Sequence, residues 1–226
     1  MDVYMFSGSA HCWKVLLGLE IKGQRYGETP LSPTPADLKS AEFLALNPRG
    51  KVPVIRDGGY VLPESSAILA YLERKYPEPP LFGRSAEGTG AIWKAVLDFD
   101  LYVSRDWTSH IIVPIFTGQA QAKADAIRQA LPACHVELAR LEATVSKGGW
   151  IAGHELSAAD ITVFPTLEAL LRAAGKKDAK AFGIDHLPFE ARYPALDAWR
   201  RKIKRMPAYE RSYPAYWRKI DQAAAA

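Results

Sequence analysis

The stretch Asn47 to Ser66, Asn-Pro-Arg-Gly-Lys-Val-Pro-Val-Ile-Arg-Asp-Gly-Gly-Tyr-Val-Leu-Pro-Glu-Ser-Ser, constrains the fold more tightly than any other part of this chain. It reads as loop, strand, tight turn, strand and helix start. Val52-Pro53 precedes the apolar pair Val54-Ile55. Proline cannot donate to a sheet ladder, so Pro53 belongs at the first residue or edge of a strand. It is also a good candidate for a cis bond, which only an X-Pro peptide forms at low cost. Asp57-Gly58-Gly59 supplies the residues of a hairpin turn, because glycine accepts positive φ. Beyond it, Ile68, Leu69, Leu72 and Tyr76 recur at helical spacing, with Ser65 as the expected N-cap.

The same order describes a clamp for a small peptide. The residue before a cis-proline at a strand edge offers an N–H and a C=O with which an extended ligand can pair. A helix N-terminus close by presents unpaired N–H groups to a carboxylate, and Glu64 can face an ammonium. Glutathione combines an amide backbone, carboxylates and an ammonium in that compass. On Val52-Pro53, Glu64-Ser65 and the helix Ile68-Leu69-x-x-Leu72, the chain resembles the cytosolic glutathione transferase family. The resemblance implies an α/β plus all-α architecture: a thioredoxin-like N-terminal domain followed by a helical-bundle C-terminal domain.

Element order fits this independently. Val3–Phe6 reads as a strand, 13–21 as a helix ended by Lys22-Gly23, 25–31 as a second strand and 37–46 as a short helix. With the hairpin and the helix from Ser65 to Tyr76, the order is β-α-β-α-β-β-α, a mixed layer. Pro77-Glu78-Pro79-Pro80 cannot continue a helix. We expect residues 1–77 as the glutathione-binding domain, 78–86 as linker and 87–226 as an all-helical domain supplying the second-substrate site. Helices are expected over 87–112, 123–145 (kinked or split at Pro132), 159–173 and 195–205. Ser157 and Asp160 form a capping box, with Leu156 and Ile161 placed as a hydrophobic staple. This box, about ninety residues beyond the first motif, also resembles the start of the core helix in the transferases' helical domain.

The chemistry needed is activation of a thiol, whose pKa near ~8.5 leaves little thiolate at neutral pH. A hydroxyl donor beside a helix N-terminus lowers it. The loop after the first strand, Ser7-Gly8-Ser9-Ala10-His11-Cys12-Trp13-Lys14, is the place for it. In serine-type members the catalytic serine stands five residues before a basic residue, as Ser9 does before Lys14. Trp13-Lys14-Val15 is similar to the Trp-Arg-Val of zeta-like members, whereas His11-Cys12 replaces their Cys-Ser pair. Tau- and theta-like members share the serine-type motif. Ser9 is therefore the expected thiolate donor. Ser7, one turn of loop earlier, Cys12, through a mixed disulfide with glutathione, and His11, as base or substrate ligand, stay open as alternatives. By the resemblance, Val52 pairs with the cysteinyl backbone, Pro53 fixes the loop, Glu64 and Ser65 hold the γ-glutamyl end, and Lys51 faces the glycine carboxylate. Phe6, Trp13, Tyr102, Trp107, His110 and Ile111 are candidates for the second-substrate pocket. Asp98 or Asp106 is placed to reach a glutathione amine across a homodimer interface.

Composition narrows the partners. The net charge is +4, and Arg200 to Arg205 is the one basic cluster, without a nucleic-acid-reading motif. It reads as a solvated helix face. No apolar run has membrane length, and the start of the chain lacks the pattern of a signal peptide. Two cysteines give no disulfide framework, so the cytoplasm is the expected compartment. His110, His135, His154 and His186 lack ligand spacing, so no metal is expected. The reading is a glutathione transferase acting on hydrophobic electrophiles in detoxification. The alternatives are a thiol–disulfide oxidoreductase using Cys12 and a non-catalytic binding protein of the same fold.

Overall fold

The computed structural model describes residues 1–180, 182 and 189–225. The chain forms two compact units, Met1–Pro80 joined by the residues from Met206 on, and Leu81–Arg205.

The first unit is built on a four-stranded sheet of order β2-β1-β3-β4. β1 (Asp2–Met5) pairs parallel with β2 (Gly27–Pro30) and antiparallel with β3 (Val54–Asp57), and β3 pairs antiparallel with β4 (Tyr60–Pro63). The parallel pair needs a crossover, which α1 (Ala10–Ile21) supplies. The connection from β2 to β3 holds α2 (Pro35–Leu38) and α3 (Ala41–Leu46), two short helices where one was expected over 37–46. Ser40 divides them, its hydroxyl accepting from the Phe43 amide at 3.2 Å to start a new helix. α4 (Ser65–Lys75) follows the hairpin. Cys12 to Leu19 of α1 are all buried, as a helix that is apolar nearly all round must be. Its lysines are tied inside: Lys14 Nζ donates to Ser66 Oγ at 2.6 Å. Lys22 Nζ reaches Glu73, the Tyr76 carbonyl and the Pro79 carbonyl at 2.7, 2.7 and 2.9 Å.

The second unit contains α5 (Ala86–Phe99), α6 (Val113–Phe116), α7 (Ala124–Gly148), α8 (Ala158–Ala174), α9 (Lys177–Lys180), α10 (Phe189–Arg192) and α11 (Pro194–Lys204). The expected single helix over 87–112 is not regular. Past Phe99 it widens into π-helical turns at Asp100–Ser104 and Trp107–Ile112. Val103, Trp107 and Ile111 stay buried through these turns. Pro132 does not split α7; its ring is exposed and the helix runs through it. The basic cluster of α11 is paired within the unit: Arg200 with Glu168 and Asp197, Arg201 with Asp197, and Lys204 with Glu168.

The expected partition placed everything after 87 in one helical domain. Residues 207–225 instead form α12 (Pro207–Ser212) and α13 (Ala215–Ala225), which group with the first unit. The reason is aromatic. Trp13 of α1 lies 5.9, 5.7 and 5.4 Å, centroid to centroid, from Tyr209, Tyr213 and Trp217. Arg211 also pairs with Glu20 of α1.

Candidate active site

Two segments of the first unit carry the residues that the sequence singled out. The first runs from Asn47 to Ser66. Asn47 is buried; its side-chain amide donates to the Lys51 carbonyl at 2.6 Å, and its Oδ1 accepts from the Arg49 amide at 3.1 Å. Gly50 has φ +60°, and a Cβ there would come within 2.5 Å of the Leu38 carbonyl oxygen, so the turn demands glycine. The Val52-Pro53 peptide is cis, and the ladder begins only at Val54. Val52 packs its side chain against the cluster of Tyr4, Phe43 and Val54. This anchors the side chain while leaving the Val52 main chain beside the ladder rather than in it. Lys51 is exposed.

Glu64 is the N-cap of α4, with φ 72°, and is the one non-glycine residue with positive φ among the described residues. That region costs a side-chain-bearing residue of order 1–3 kcal/mol, and such outliers concentrate where a site over-determines the backbone. Ser65, expected as the cap, is the first residue of the helix and is buried. Glu64 takes the cap position instead, its carbonyl accepting from the Ile68 amide at 2.9 Å.

The second segment is the loop between β1 and α1. Ser9 is the N-cap of α1; its Oγ accepts from the Cys12 amide at 3.3 Å, and its own amide donates to the Phe6 carbonyl at 3.3 Å. A hydroxyl that accepts in this way still has its proton to donate. Ser9 is half-buried, as are Phe6, Ser7 and His11. The Ser7 hydroxyl accepts from the Tyr216 amide at 2.9 Å.

Two models describe the chain in terms of known families. Residues 3–80 match the N-terminal domain, and residues 105–207 the C-terminal domain, of glutathione S-transferase. Glutathione S-transferase A of the plaice Pleuronectes platessa is 32% identical, over 98% of this chain and 95% of its own length. The chain belongs to the glutathione S-transferase family.

Its expected thioredoxin-like and helical architecture follows with it, and so does its class as an enzyme, a glutathione transferase. A maleylacetoacetate isomerase of Pseudomonas aeruginosa is 28% identical over 96% of this chain and 93% of its own. Among solved structures, a glutathione S-transferase from the Antarctic clam Laternula elliptica superposes with a TM-score of 0.75 at 29% identity, covering 96% of this chain and 93% of that one.

Three sequence expectations need correction in this transferase. Cys12 is fully buried, and burial pushes its thiol up to about 11, against a smaller downward pull from the Ser9 hydroxyl and the Phe6 backbone. At neutral pH roughly one such thiol in ten thousand is ionised, which makes Cys12 packing rather than a nucleophile. Trp13 is 1% exposed and belongs to the aromatic core, its indole N–H donating to Ser212 Oγ at 3.1 Å, so it does not face a pocket. Ile111 is fully buried in the second unit.

The other candidates of the second unit do meet. Tyr102, Trp107 and His110 line a cavity of about 300 Å³ with Asp106 and with Cys134 and Glu137 of α7. Tyr102 is 72% exposed and Trp107 forms the buried floor. Asp98 pairs with Lys94 and lies 4.0 Å from Arg140. No cluster of metal-ligating side chains occurs among the described residues, and His186 lies outside them. Nothing in the residues around Glu64 announces its left-handed backbone, because Asn or Gly, not Glu, marks that conformation.

Proposed function

We propose that this protein binds glutathione on the Asn47–Ser66 segment and that Ser9 donates a hydrogen bond to the glutathione sulfur, stabilising the thiolate for attack on a hydrophobic electrophile. The observation that carries the reading is the Ser9 hydroxyl. It stands at the N-terminus of α1, half-exposed, with a proton that no acidic side chain in the first turn takes up. Val52 then pairs with the cysteinyl backbone beside Pro53, Glu64 and Ser65 hold the γ-glutamyl end, and Lys51 meets the glycine carboxylate. Glutathione is a co-substrate here, and no metal takes part.

Each pKa unit by which the thiol is lowered takes about 1.36 kcal/mol of preferential thiolate stabilisation. One charge-assisted hydrogen bond supplies about 1.5–3 kcal/mol, so Ser9 with the α1 dipole accounts for one to two units. The electrophile is read as hydrophobic because Tyr102, Trp107 and His110 line an aromatic cavity of the second unit. The homodimer is part of the reading through the family resemblance. The described residues hold no helix long and apolar enough to cross a membrane, and the reading places the protein in the cytoplasm, in detoxification.

Calorimetry with glutathione on wild type and Ser9→Ala, with thiolate absorbance followed against pH, tests the reading. Wild-type binding with a lowered thiol pKa that rises in Ser9→Ala is the expected result. No binding at millimolar glutathione, or a pKa indifferent to Ser9, overturns it.

A further inference from the structure

The cavity of about 300 Å³ in the second unit has a shape that follows from its two walls. One wall is the stretch of π-helical turns, which brings Tyr102, Asp106, Trp107 and His110 to it. The other is α7, whose Ala126, Ala130 and Ala133 recur at helical spacing on one face. Methyl side chains there leave the hollow open. Phe99 meets the buried Trp107 edge-on at 5.8 Å and holds the indole at the floor. A space of this size is at the lower end for ligand sites and suits one substituted ring.

The charge of the cavity is one-sided. The residues that line it include two carboxylates, Asp106 and Glu137, and no lysine or arginine. Glu137 is answered from one turn further along α7, where Arg140 Nε donates to it at 2.8 Å. Asp106 is exposed, and its side chain has no hydrogen bond or ion pair among the described residues. An aromatic floor accepts neutral rings and attracts cations, whereas an unanswered carboxylate repels a second one. A carboxylate-bearing ligand therefore gives up water here without gaining a counter-charge, which is costly. The sequence reading set Asp106 toward a glutathione amine across a dimer; within one chain it lines this cavity.

We propose that Asp106 determines the charge specificity of the cavity: the electrophile is a single-ring arene that is uncharged or cationic, and carboxylate-bearing substrates are turned away. The inference rests on the reading above that the electrophile occupies this cavity.

Steady-state kinetics of the full chain with glutathione decide it, using a chlorodinitrobenzene and the chloronitrobenzoate in which a carboxylate replaces one nitro group. With both, the thiolate sulfur bonds to the ring carbon and chloride leaves with the electron pair. The readout is the ratio of the two kcat/KM values, each divided by its uncatalysed rate. Wild type is expected to favour the neutral arene about tenfold or more at low salt, and the ratio shrinks towards one at high salt. Asp106→Asn lowers the ratio about tenfold, and Asp106→Lys inverts it. Ala133 is exposed, so Ala133→Trp fills the cavity without displacing the core, and it costs both rates about tenfold or more. A wild-type ratio near one, a ratio unmoved in both Asp106 variants, or full activity in Ala133→Trp overturns the inference. So does a glutathione Kd that rises in step with the loss of rate in Asp106→Asn, because the carboxylate then serves the tripeptide. If wild type binds no glutathione, the proposed function fails separately, and calorimetry with dinitrobenzene and nitrobenzoate still reads the cavity. Binding of the neutral ring alone, reversed in Asp106→Lys, then supports the charge preference; equal binding of both rings, or of neither, overturns it.

Discussion

Ser9 and Ser157 hold the same place at the heads of two helices, and each is followed three residues later by the side chain that decides its use: Cys12 in one case, Asp160 in the other. At α8 the box is closed. Both the amide and the hydroxyl of Ser157 donate to Asp160 Oδ2 at 2.9 Å. Oδ1 of the same carboxylate accepts from the Ile151 amide at 2.9 Å and from the Trp199 indole at 2.8 Å. Asp160 is fully buried; burial pushes its carboxyl up, and these four donors pull it back. At α1 the box is open. Cys12 offers no carboxylate, and Ser9 accepts one bond at 3.3 Å from the Cys12 amide. The same cap position thus takes two forms: closed by a carboxylate at Ser157, and open at Ser9, where the proposed function draws on the hydroxyl.

The closed box is the easier to break. Asp160→Asn sets an amide N–H₂ among donors in a sealed site, and we expect a loss of about 3–5 kcal/mol, typical of removing one side of a buried charged network. Urea unfolding reads it directly, and a loss below about 1 kcal/mol would mean the box does not organise α8. Ser9→Ala should show the opposite balance. The cap itself is worth about 1 kcal/mol, whereas turnover with glutathione should fall about 10²-fold, the cost of removing one donor to a developing anion. Equal loss of stability and rate would erase the distinction between the two serines.

Cys12→Ser sharpens the comparison at its other residue. A buried thiol held near 11 should be dispensable: kcat/KM stays within about threefold, and iodoacetamide leaves wild-type Cys12 unmodified until the protein unfolds. Rapid alkylation of native Cys12 would reopen the oxidoreductase reading. The smallest expected effect tests the frame around α8 and α7. Burial, helped by Arg192, lowers the pKa of His135 from 6.5. The folded state therefore keeps His135 neutral where the unfolded chain takes up a proton. Stability is full above about pH 6.5, is lost as pH falls below it, and levels off below the folded pKa. His135→Gln should remove that part of the slope between pH 7.5 and 5.5 in urea midpoints.

What the sequence made readable was local. Pro53, Gly58-Gly59 and the Ser157–Asp160 spacing announce a strand edge, a hairpin and a helix start within a few residues of themselves, and each is found there. Contacts across long separations were not readable. Trp13 looks like a pocket wall until Tyr209, Tyr213 and Trp217 come back to cover it. Nothing in the sequence near Ser7 announces that its oxygen accepts from the Tyr216 amide, 209 residues on. The π-helical turns after Phe99 were hidden for a related reason. Apolar residues at Val103, Trp107 and Ile111 fit an ordinary helical pattern, so their spacing does not announce the wider turns.

The return of residues 207–225 to α1 has a consequence for the order of synthesis. The unit 81–205 is continuous in sequence and can close as soon as it leaves the ribosome, whereas the sheet unit made before it must wait. Until Tyr209 to Trp217 emerge, the Trp13 face of α1 is bare and Ser7 has no amide to receive. The loop that carries Ser9 is thus translated 209 residues before the amide that completes it.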